Sequence, residues 1–373
     1  MVAYEIAPKM TWADAMGLVV IEGVIIAILV LTGLRKAIFS AVPTQLKTAI
    51  GVGIGLFLTV IGFVDAGFVR GAEGTPPLFL GVGGKLVTWP TLVFALGLLG
   101  TLILIVNRVK GAILIGIVGS TVLAIVVEAI ADLGSGTAKG WGLNTPELPK
   151  KIVDAPDLSL LGRFDVLGSW ERAGFLVALM FVFTLLLTDF FDTMGTMVAV
   201  GQEGGLLDER GNPPRTREIL LVDSVAAAAG GAASVSSNTS YIESAAGVAE
   251  GARTGVANLV TGGLFLVAMF FAPLVTIVPF EAASAALVVV GFLMMTAVRT
   301  IDWTDYEIAI PAFLAIVLMP FTYSISNGIG AGVIAYVVLK LARGKMRDVH
   351  PLLYGVAVLF VLYFLRGPLE SML

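Results

Sequence analysis

Residues 87–106 have the sequence VTWPTLVFALGLLGTLILIV, and residues 111–130 have the sequence GAILIGIVGSTVLAIVVEAI. Each run is about 20 residues long, which lets a helix cross the hydrocarbon core of a bilayer. Similar runs recur along most of the chain, where 57% of residues are hydrophobic and only 13% are charged. A soluble domain usually has about 25% charged residues. We therefore predict an all-α polytopic membrane protein that has the lipid bilayer as its solvent and no nucleic-acid partner.

Apolar runs between polar segments define the predicted spans. They are Trp12–Leu34, Leu46–Val64, Val87–Val106, Gly111–Ile130, Phe175–Val200, Ile219–Val235, Val256–Val278, Ala283–Val298, Ile308–Tyr323 and Gly328–Leu341. A further apolar run, Leu352–Phe364, is too short to be assigned. The chain has no Cys and a single His, which excludes thiolate and histidine metal clusters, so we expect no metal and no cofactor.

The placement of Lys and Arg predicts the orientation of these spans. Basic residues alternate between the two sides if the basic loops face the cytoplasm, as the positive-inside rule requires. The residues that define these loops are Arg35, Lys36, Arg108, Lys110, Arg210, Arg215, Arg217, Arg253, Arg299, Lys340, Arg343, Lys345 and Arg347. The spans that begin at Trp12 and Val256 then have opposite orientations.

An internal similarity supports an inverted repeat. Val42-Pro43, Gly55 and Asp65 in the first half are matched by Val278-Pro279, Gly291 and Asp302 in the second half. Inverted repeats are common in secondary transporters, which bind substrate near the midplane on interrupted helices. The second half has two spans and an interrupted segment before Val256 that have no counterpart before Trp12. We therefore predict that about three spans of the first repeat are absent from this chain; the alternative is a naturally asymmetric protein.

Two acids lie inside the predicted span Phe175–Val200. Asp189 and Asp192 are three residues apart and share one face of a helix, with Thr193 and Thr196 one turn further along. Acids are costly at the centre of a span, which favours a substrate and proton site. The alternative is that one of the two acids only bonds a neighbouring helix.

A polar segment interrupts the next apolar region. Residues 236–247 have the sequence SSNTSYIESAAG, a poor helix former that needs burial in protein or a cavity at membrane depth. Ser240 and Glu243 have capping-box spacing, so a half-helix can begin there and point its N-H groups at the midplane. The alternative is that Glu243 only caps the helix.

The remaining intramembrane acids, Glu22, Glu128 and Asp223, each lack a second acid within one turn, and we interpret them as structural. No Lys or Arg lies at the centre of a predicted span. The site is therefore predicted to be acidic and rich in acceptors, which suits a cation, a proton or a neutral ligand with N-H donors.

The motifs at 189–196 (DFFDTMGT) and 236–247 resemble those of the AzgA-like purine permeases of the nucleobase/ascorbate transporter superfamily. Residues 301–306 and 350–354 extend the similarity over nearly the whole chain. The resemblance implies an inverted-repeat transporter fold of seven plus seven spans, with core and gate domains and a short strand before a half-helix near 236–250. It also implies five consecutive segments. Residues 1–130 are the rest of the first repeat, mostly gate domain, and residues 131–171 are an external loop. Residues 172–255 are core-domain spans of the second repeat, residues 256–345 are its gate and core spans, and residues 346–373 are a C-terminal apolar segment.

The resemblance implies a symporter that imports hypoxanthine, guanine or adenine with protons across the cytoplasmic membrane. Its substrate-binding residues would be Asp189, Asp192, Glu243, Thr193, Thr196, Thr239, Ser240 and Tyr241. A homodimer is left open. The alternatives are an anion transporter on the same fold, using the N-terminus of the half-helix, and an inactive membrane fragment. An intramembrane enzyme is disfavoured because the chain contains neither a His-Glu-x-x-His nor a Gly-x-Gly-Asp pattern.

Overall fold

Helices make up most of the regular structure. The computed structural model describes Val2, Ile6 and residues 10–71, 78–137, 139–149, 151–209, 211–241, 244–249 and 251–365. Within this part of the chain, eight helical stretches are long and apolar enough to cross a membrane, and two shorter apolar helices accompany them. Two of the eight, Gly255–Val275 and Phe280–Thr300, combine an α-helix with adjoining helical turns. The predicted multi-helix membrane protein is confirmed.

The elements are numbered in chain order. The helices are α1 (Trp12–Leu31), α2 (Leu34–Ala41), α3 (Thr44–Asp65), α4 (Trp89–Val106), α5 (Ala112–Ala131), α6 (Gly168–Arg172), α7 (Phe175–Glu203), α8 (Thr216–Ala232), α9 (Ser244–Ala249), α10 (Gly255–Ala268), α11 (Ala272–Val275), α12 (Phe280–Met295), α13 (Tyr306–Phe321), α14 (Ile325–Ala342) and α15 (Pro351–Phe364). The strands are β1 (Val69–Gly71) and β2 (Leu78–Leu80). The run left unassigned at Leu352–Phe364 is therefore helical.

The predicted span Trp12–Leu34 is divided into two helices. Helix α1 begins after Thr11, whose side chain accepts a hydrogen bond from the backbone N-H of Asp14, and it ends at Leu31. Gly33 has φ of +79°, a left-handed conformation that glycine adopts without steric cost. The chain turns there, and α2 begins at Leu34. Arg35, which we predicted in a cytoplasmic loop, therefore lies on a helix.

Two local predictions need correction. The segment between α3 and α4 contains an antiparallel pair of strands, β1 and β2, so the protein is not strictly all-α. The strand predicted near 236–250 is not formed among the described residues 236–241. A strand needs a hydrogen-bonded neighbour, and this extended segment instead bonds to side chains of α7 and α8.

Two compact units divide the chain. Unit 1 comprises Met1–Ile54, Asp157–Ala245 and Thr296–Leu373, and unit 2 comprises Gly55–Pro156 and Ala246–Met295. Each unit takes parts from both halves of the sequence, whereas the five predicted segments are consecutive. The assignment of those segments to core and gate domains stays a prediction.

Helices α1 and α8 of unit 1 approach each other at glycine. A Cβ atom on Gly23 would lie 2.4 Å from the backbone N of Ala228, and one on Gly231 would lie 2.8 Å from the backbone N of Val20. Real Cβ atoms do not approach so closely, so the two backbones can touch only because these residues have no side chain. The contact brings Glu22, the neighbour of Gly23, against the helix that carries Asp223.

Unit 2 has a similar crossing between α3 and α12. A Cβ atom on Gly55 would lie 2.8 Å from the carbonyl O of Gly291, and one on Gly291 would lie 2.4 Å from the carbonyl O of Gly55. These two glycines occupy matched positions in the predicted repeat, and their contact is reciprocal, as a two-fold axis through the crossing would make it. The inverted repeat itself stays a prediction.

Glu128 has a structural environment in unit 2. Its carboxylate accepts hydrogen bonds from the indole N-H of Trp141 at 2.7 Å and from the backbone N-H groups of Leu133 and Gly134 at 3.1 and 3.0 Å. It thereby fastens the loop after α5 to the end of that helix, in agreement with the structural role predicted for it.

Candidate functional site

The predicted acidic face of α7 lies within unit 1. Asp189 and Thr193 are one helical turn apart and both are buried, with Asp189 only 7% exposed. Asp192 is half-buried on the same helix. Because residues three and four apart lie on one side of a helix, this face presents carboxylate and hydroxyl groups together.

The segment after α8 folds back over that helix. A Cβ atom on Gly230 would lie 2.5 Å from the carbonyl O of Ser236 and 3.0 Å from the backbone N of Asn238, so glycine is needed for the chain to pass. The path carries Ser237 to α7, where its hydroxyl donates to Oδ1 of Asp189 at 3.0 Å. The interrupted helix thus brings polar groups to the middle of α7.

Asp223, on α8, connects the segments of this cluster. The hydroxyl of Thr193 donates to its Oδ2 at 2.8 Å, and the hydroxyl of Thr239 donates to its Oδ1 at 3.1 Å. The backbone N-H of Ser240 also donates to Oδ1 at 3.1 Å. Thr193 and Thr239 are themselves 2.9 Å apart. One carboxylate therefore holds α7, α8 and the extended segment together.

Arg35 supplies the cation of the cluster. Its side chain is 1% exposed, with Nη2 3.3 Å from Oδ2 of Asp223 and Nη1 3.1 Å from the hydroxyl of Ser224. The guanidinium carbon also lies 5.2 Å from the centre of the Phe190 ring. Arg35 thus adds a cation to a cluster that we predicted to be acidic and rich in acceptors. The turn at Gly33 points α2 into the bundle, and a pattern of apolar runs does not reveal that turn.

Glu22 completes the cluster from α1. Its side chain is fully buried, and neither carboxyl oxygen has a hydrogen-bond donor among the described residues. The carboxyl group of Asp189 is its immediate hydrogen-bonding neighbour, and Arg35 and Asp223 also act on it electrostatically. Two carboxyl groups can share a hydrogen bond only when one of them carries a proton.

Charge in this cluster is not balanced. Three carboxyl groups, those of Glu22, Asp189 and Asp223, surround the single guanidinium of Arg35, which would leave two negative charges if all four groups were ionised. Oδ2 of Asp189 has no hydrogen-bond partner within the described chain. The arrangement can bind a proton, and it offers a buried acceptor to a ligand that brings N-H donors.

The structure brings together only part of the predicted site. Asp189, Thr193, Thr239 and Ser240 share the cluster. Thr196 is buried one turn further along α7, whereas Tyr241 is 65% exposed. Glu243 lies outside the described residues, so its capping box with Ser240 is not tested.

Sequence reasoning missed Glu22, Asp223 and Arg35 as members of the cluster. Glu22 and Asp223 were interpreted as structural because neither has a second acid within one turn. That criterion detects partners on the same helix only. Asp223 and Arg35, which pair with each other, are 188 residues apart along the chain. The available signal was their position in or beside apolar helices, where an ionisable residue is by default a functional candidate.

These features define the class of protein: a multi-pass transporter of the cell membrane, with a charged cluster buried where a helix is interrupted. The xanthine/uracil permease model, described as the Permease family, matches residues 3–331. The chain belongs to this family, and it is a transporter and not an enzyme.

Individual relatives agree with this assignment. The chain is 37% identical over 355 residues to the guanine/hypoxanthine permease PbuG of Bacillus subtilis, covering 95% of this chain and 76% of the relative. It is 34% identical over 360 residues to the adenine permease AdeP of Escherichia coli, covering 95% and 75%. The transmembrane domain of the cyanobacterial bicarbonate transporter BicA superposes with a TM-score of 0.52 at 17% identity, covering 86% of this chain and 77% of that domain, which shows a shared fold.

Proposed function

We propose that this protein imports purine nucleobases, hypoxanthine, guanine or adenine, together with protons across the cytoplasmic membrane. The observation that carries the proposal is the buried, acceptor-rich cluster around Asp189 and Asp223. The names of the relatives, guanine/hypoxanthine and adenine permeases, support the same substrate class.

The chemistry of a purine fits the acceptors of this cluster. A nucleobase is neutral, planar and carries N-H groups on its edge, and Oδ2 of Asp189 is an acceptor without a donor within the described chain. The hydroxyl groups of Thr193 and Thr239 belong to the same cluster, and because their protons are donated to Asp223 their oxygens can still accept. A site of buried acceptors rejects ligands that lack matching donors, because the acceptors would then stay unpaired. We propose Asp192, Thr196, Ser240, Tyr241 and Glu243 as further contributors.

An anion transporter on the same fold is the second candidate, and the buried Arg35 is the observation that favours it. Its guanidinium, however, is already engaged by Asp223 and Ser224. The acids of the cluster outnumber this cation, and they would repel an anionic substrate. The purine assignment therefore agrees better with the local charge.

Proton coupling follows from the same excess of acids. Two negative charges buried in the loaded site would carry a large desolvation cost while that site crosses the membrane, and a bound proton reduces this cost. If the purine-loaded site crosses the membrane only with the proton bound, and the empty site returns only after releasing it, one proton moves inward with each purine. No metal or organic cofactor is needed for this scheme.

Uptake of radiolabelled hypoxanthine, guanine and adenine tests the proposal in a bacterial strain without its own purine uptake. We expect saturable uptake of at least one purine that unlabelled purines inhibit and bicarbonate does not. Glu128→Gln is the matched control, because this acid is buried outside the cluster. Uptake inhibited by small anions and not by purines would favour the anion transporter. A chain that reaches the membrane but takes up neither would favour the inactive fragment.

A further inference from the structure

We propose that Glu22 and Asp189 form a carboxyl pair that shares one proton, and that this proton is the one carried with each substrate molecule. The inference rests on the proposed function, because it assigns the coupling proton of that transporter to particular atoms. It adds Glu22, which lies on α1 and outside the residues discussed above as purine ligands.

The burial of Glu22 is the first observation. Its side chain has no exposed surface, and neither carboxyl oxygen meets a donor among the described residues. An ionised carboxylate in such an environment bears a large desolvation cost, and a buried carboxyl normally avoids this by binding a proton or a counter-charge. Glu128 shows the contrast, since its carboxylate receives three donors.

The charged groups around Glu22 identify its partner. Asp189 faces it from α7, Asp223 from α8 and Arg35 from α2. Helix α6 also packs against α1, but its Arg172 pairs with Asp14, near the start of α1 and two turns from Glu22. Arg35 is within 3.3 Å of Asp223, which neutralises its charge locally. Glu22 and Asp189 remain as two acids without a cation of their own.

A shared proton satisfies both groups. With the proton on Glu22, its O-H donates to one oxygen of Asp189, and the pair carries one negative charge instead of two. Asp189 stays ionised and keeps the acceptor that Ser237 uses on its other side. Like charges this close ionise one at a time, so the pair binds and releases a single proton over the working range of pH.

Substrate binding is linked to this proton. A purine N-H that donates to Asp189 needs the ionised form of that residue, and the proton then stays on Glu22. The loaded site thus holds one purine and one proton, and no bond other than hydrogen bonds is made or broken. Removing the proton would leave two adjacent buried negative charges, which opposes movement of the loaded site across the membrane. The proton is released to the cytoplasm after the purine leaves and before the empty site returns, so each cycle carries one proton inward with one purine.

Infrared difference spectroscopy on the purified protein tests the pair directly. We expect the carbonyl band of a buried carboxylic acid that disappears as pH is raised and shifts when hypoxanthine is added. Glu22→Gln should remove this titrating band, and Asp189→Asn should remove or displace it. Glu128→Gln should leave it intact, because Glu128 lies outside the cluster and its carboxyl oxygens already accept from three donors. Absence of the band in the unaltered protein, or its persistence unchanged in Asp189→Asn, would overturn the proposal even if Glu22→Gln did not fold.

Transport in proteoliposomes provides the second measurement. With one proton per purine, a pH gradient of one unit supports accumulation of about tenfold. A glutamine at position 22 can donate to Asp189 but cannot release a proton. We therefore expect Glu22→Gln to keep measurable purine exchange while its accumulation ratio falls to about one, and Glu128→Gln to accumulate purine normally. Normal accumulation by Glu22→Gln would contradict the proposal.

The two measurements separate this inference from the proposed function. If the unaltered protein transports no purine, the proposed function fails. A titrating band that Glu22→Gln abolishes would then still support the proton pair. If purine accumulates but no such band exists, the proposed function stands and the pair is wrong.

Discussion

The buried ion pair between Arg35 and Asp223 should contribute strongly to the stability of unit 1. Both side chains are almost fully buried, with Nη2 and Oδ2 3.3 Å apart. Breaking a buried pair by removing one partner typically costs about 3 to 5 kcal/mol, because the other charge stays buried alone. In Arg35→Met, Asp223 keeps its donors Thr193, Thr239 and Ser240. We therefore expect a loss near the lower limit, about 3 kcal/mol.

A double-mutant cycle measures this contribution. Asp223→Asn alone removes the ion pair of Arg35, whose hydrogen bonds to the hydroxyl of Ser224 and the carbonyl of Leu220 are to neutral groups. Combining it with Arg35→Met removes both charges, so the double variant should be less destabilised than the sum of the single variants by about 2 kcal/mol. Unfolding by denaturant in detergent, followed by tryptophan fluorescence, gives the free energies.

Lys36→Met is the matched control for this cycle. Lys36 follows Arg35 directly on α2, and its side chain is exposed. Its replacement should change stability by about 0.5 kcal/mol or less. The reasoning would be refuted if Arg35→Met cost no more than Lys36→Met, or if the single effects simply added.

Three further predictions test the site and the packing. Asp189→Asn should reduce purine uptake by more than tenfold without reducing the amount of protein in the membrane, because shape is kept while charge and proton capacity are lost; uptake is scored against membrane expression. Glu243→Gln should abolish uptake and stabilisation by purine, whereas Ser240→Ala should lower stability by about 1 kcal/mol, as seen in thermal-shift assays with and without hypoxanthine. Gly291→Val should prevent folding, since a Cβ atom there would lie 2.4 Å from the carbonyl oxygen of Gly55. Gly263→Ala is the control, because the space around Gly263 is open, and it should fold normally. Size-exclusion chromatography distinguishes the folded from the aggregated protein.

Each of these expectations has an outcome that contradicts it. Full uptake by Asp189→Asn would remove that acid from the transport cycle. Normal purine binding by Glu243→Gln, together with loss of binding by Ser240→Ala, would show that the carboxylate is structural. A well-folded Gly291→Val would mean that the α3 and α12 backbones do not touch.

Local sequence determined the membrane-spanning helices and one face of the site. A run of about 20 apolar residues has to satisfy its backbone hydrogen bonds internally, so the spans follow from composition alone. The spacing of Asp189 and Thr193 determines that they share a side of α7, because helical geometry is the same in every context. The motif at 236–247 also indicated the family, through residue identity and without any contact being known.

Only the tertiary structure decided which charges meet. Arg35 follows a turn at Gly33 that redirects α2 into unit 1, and its partner Asp223 is 188 residues away. Glu22 resembles any isolated acid on an apolar helix until α1 packs against α8 at Gly23 and Gly231. Contacts between distant helices depend on how their surfaces fit together. The periodicity of a single helix gives no information about that fit. The pairing of Glu22 with Asp189, and the neutralisation of Arg35 by Asp223, therefore arise from packing and not from local sequence.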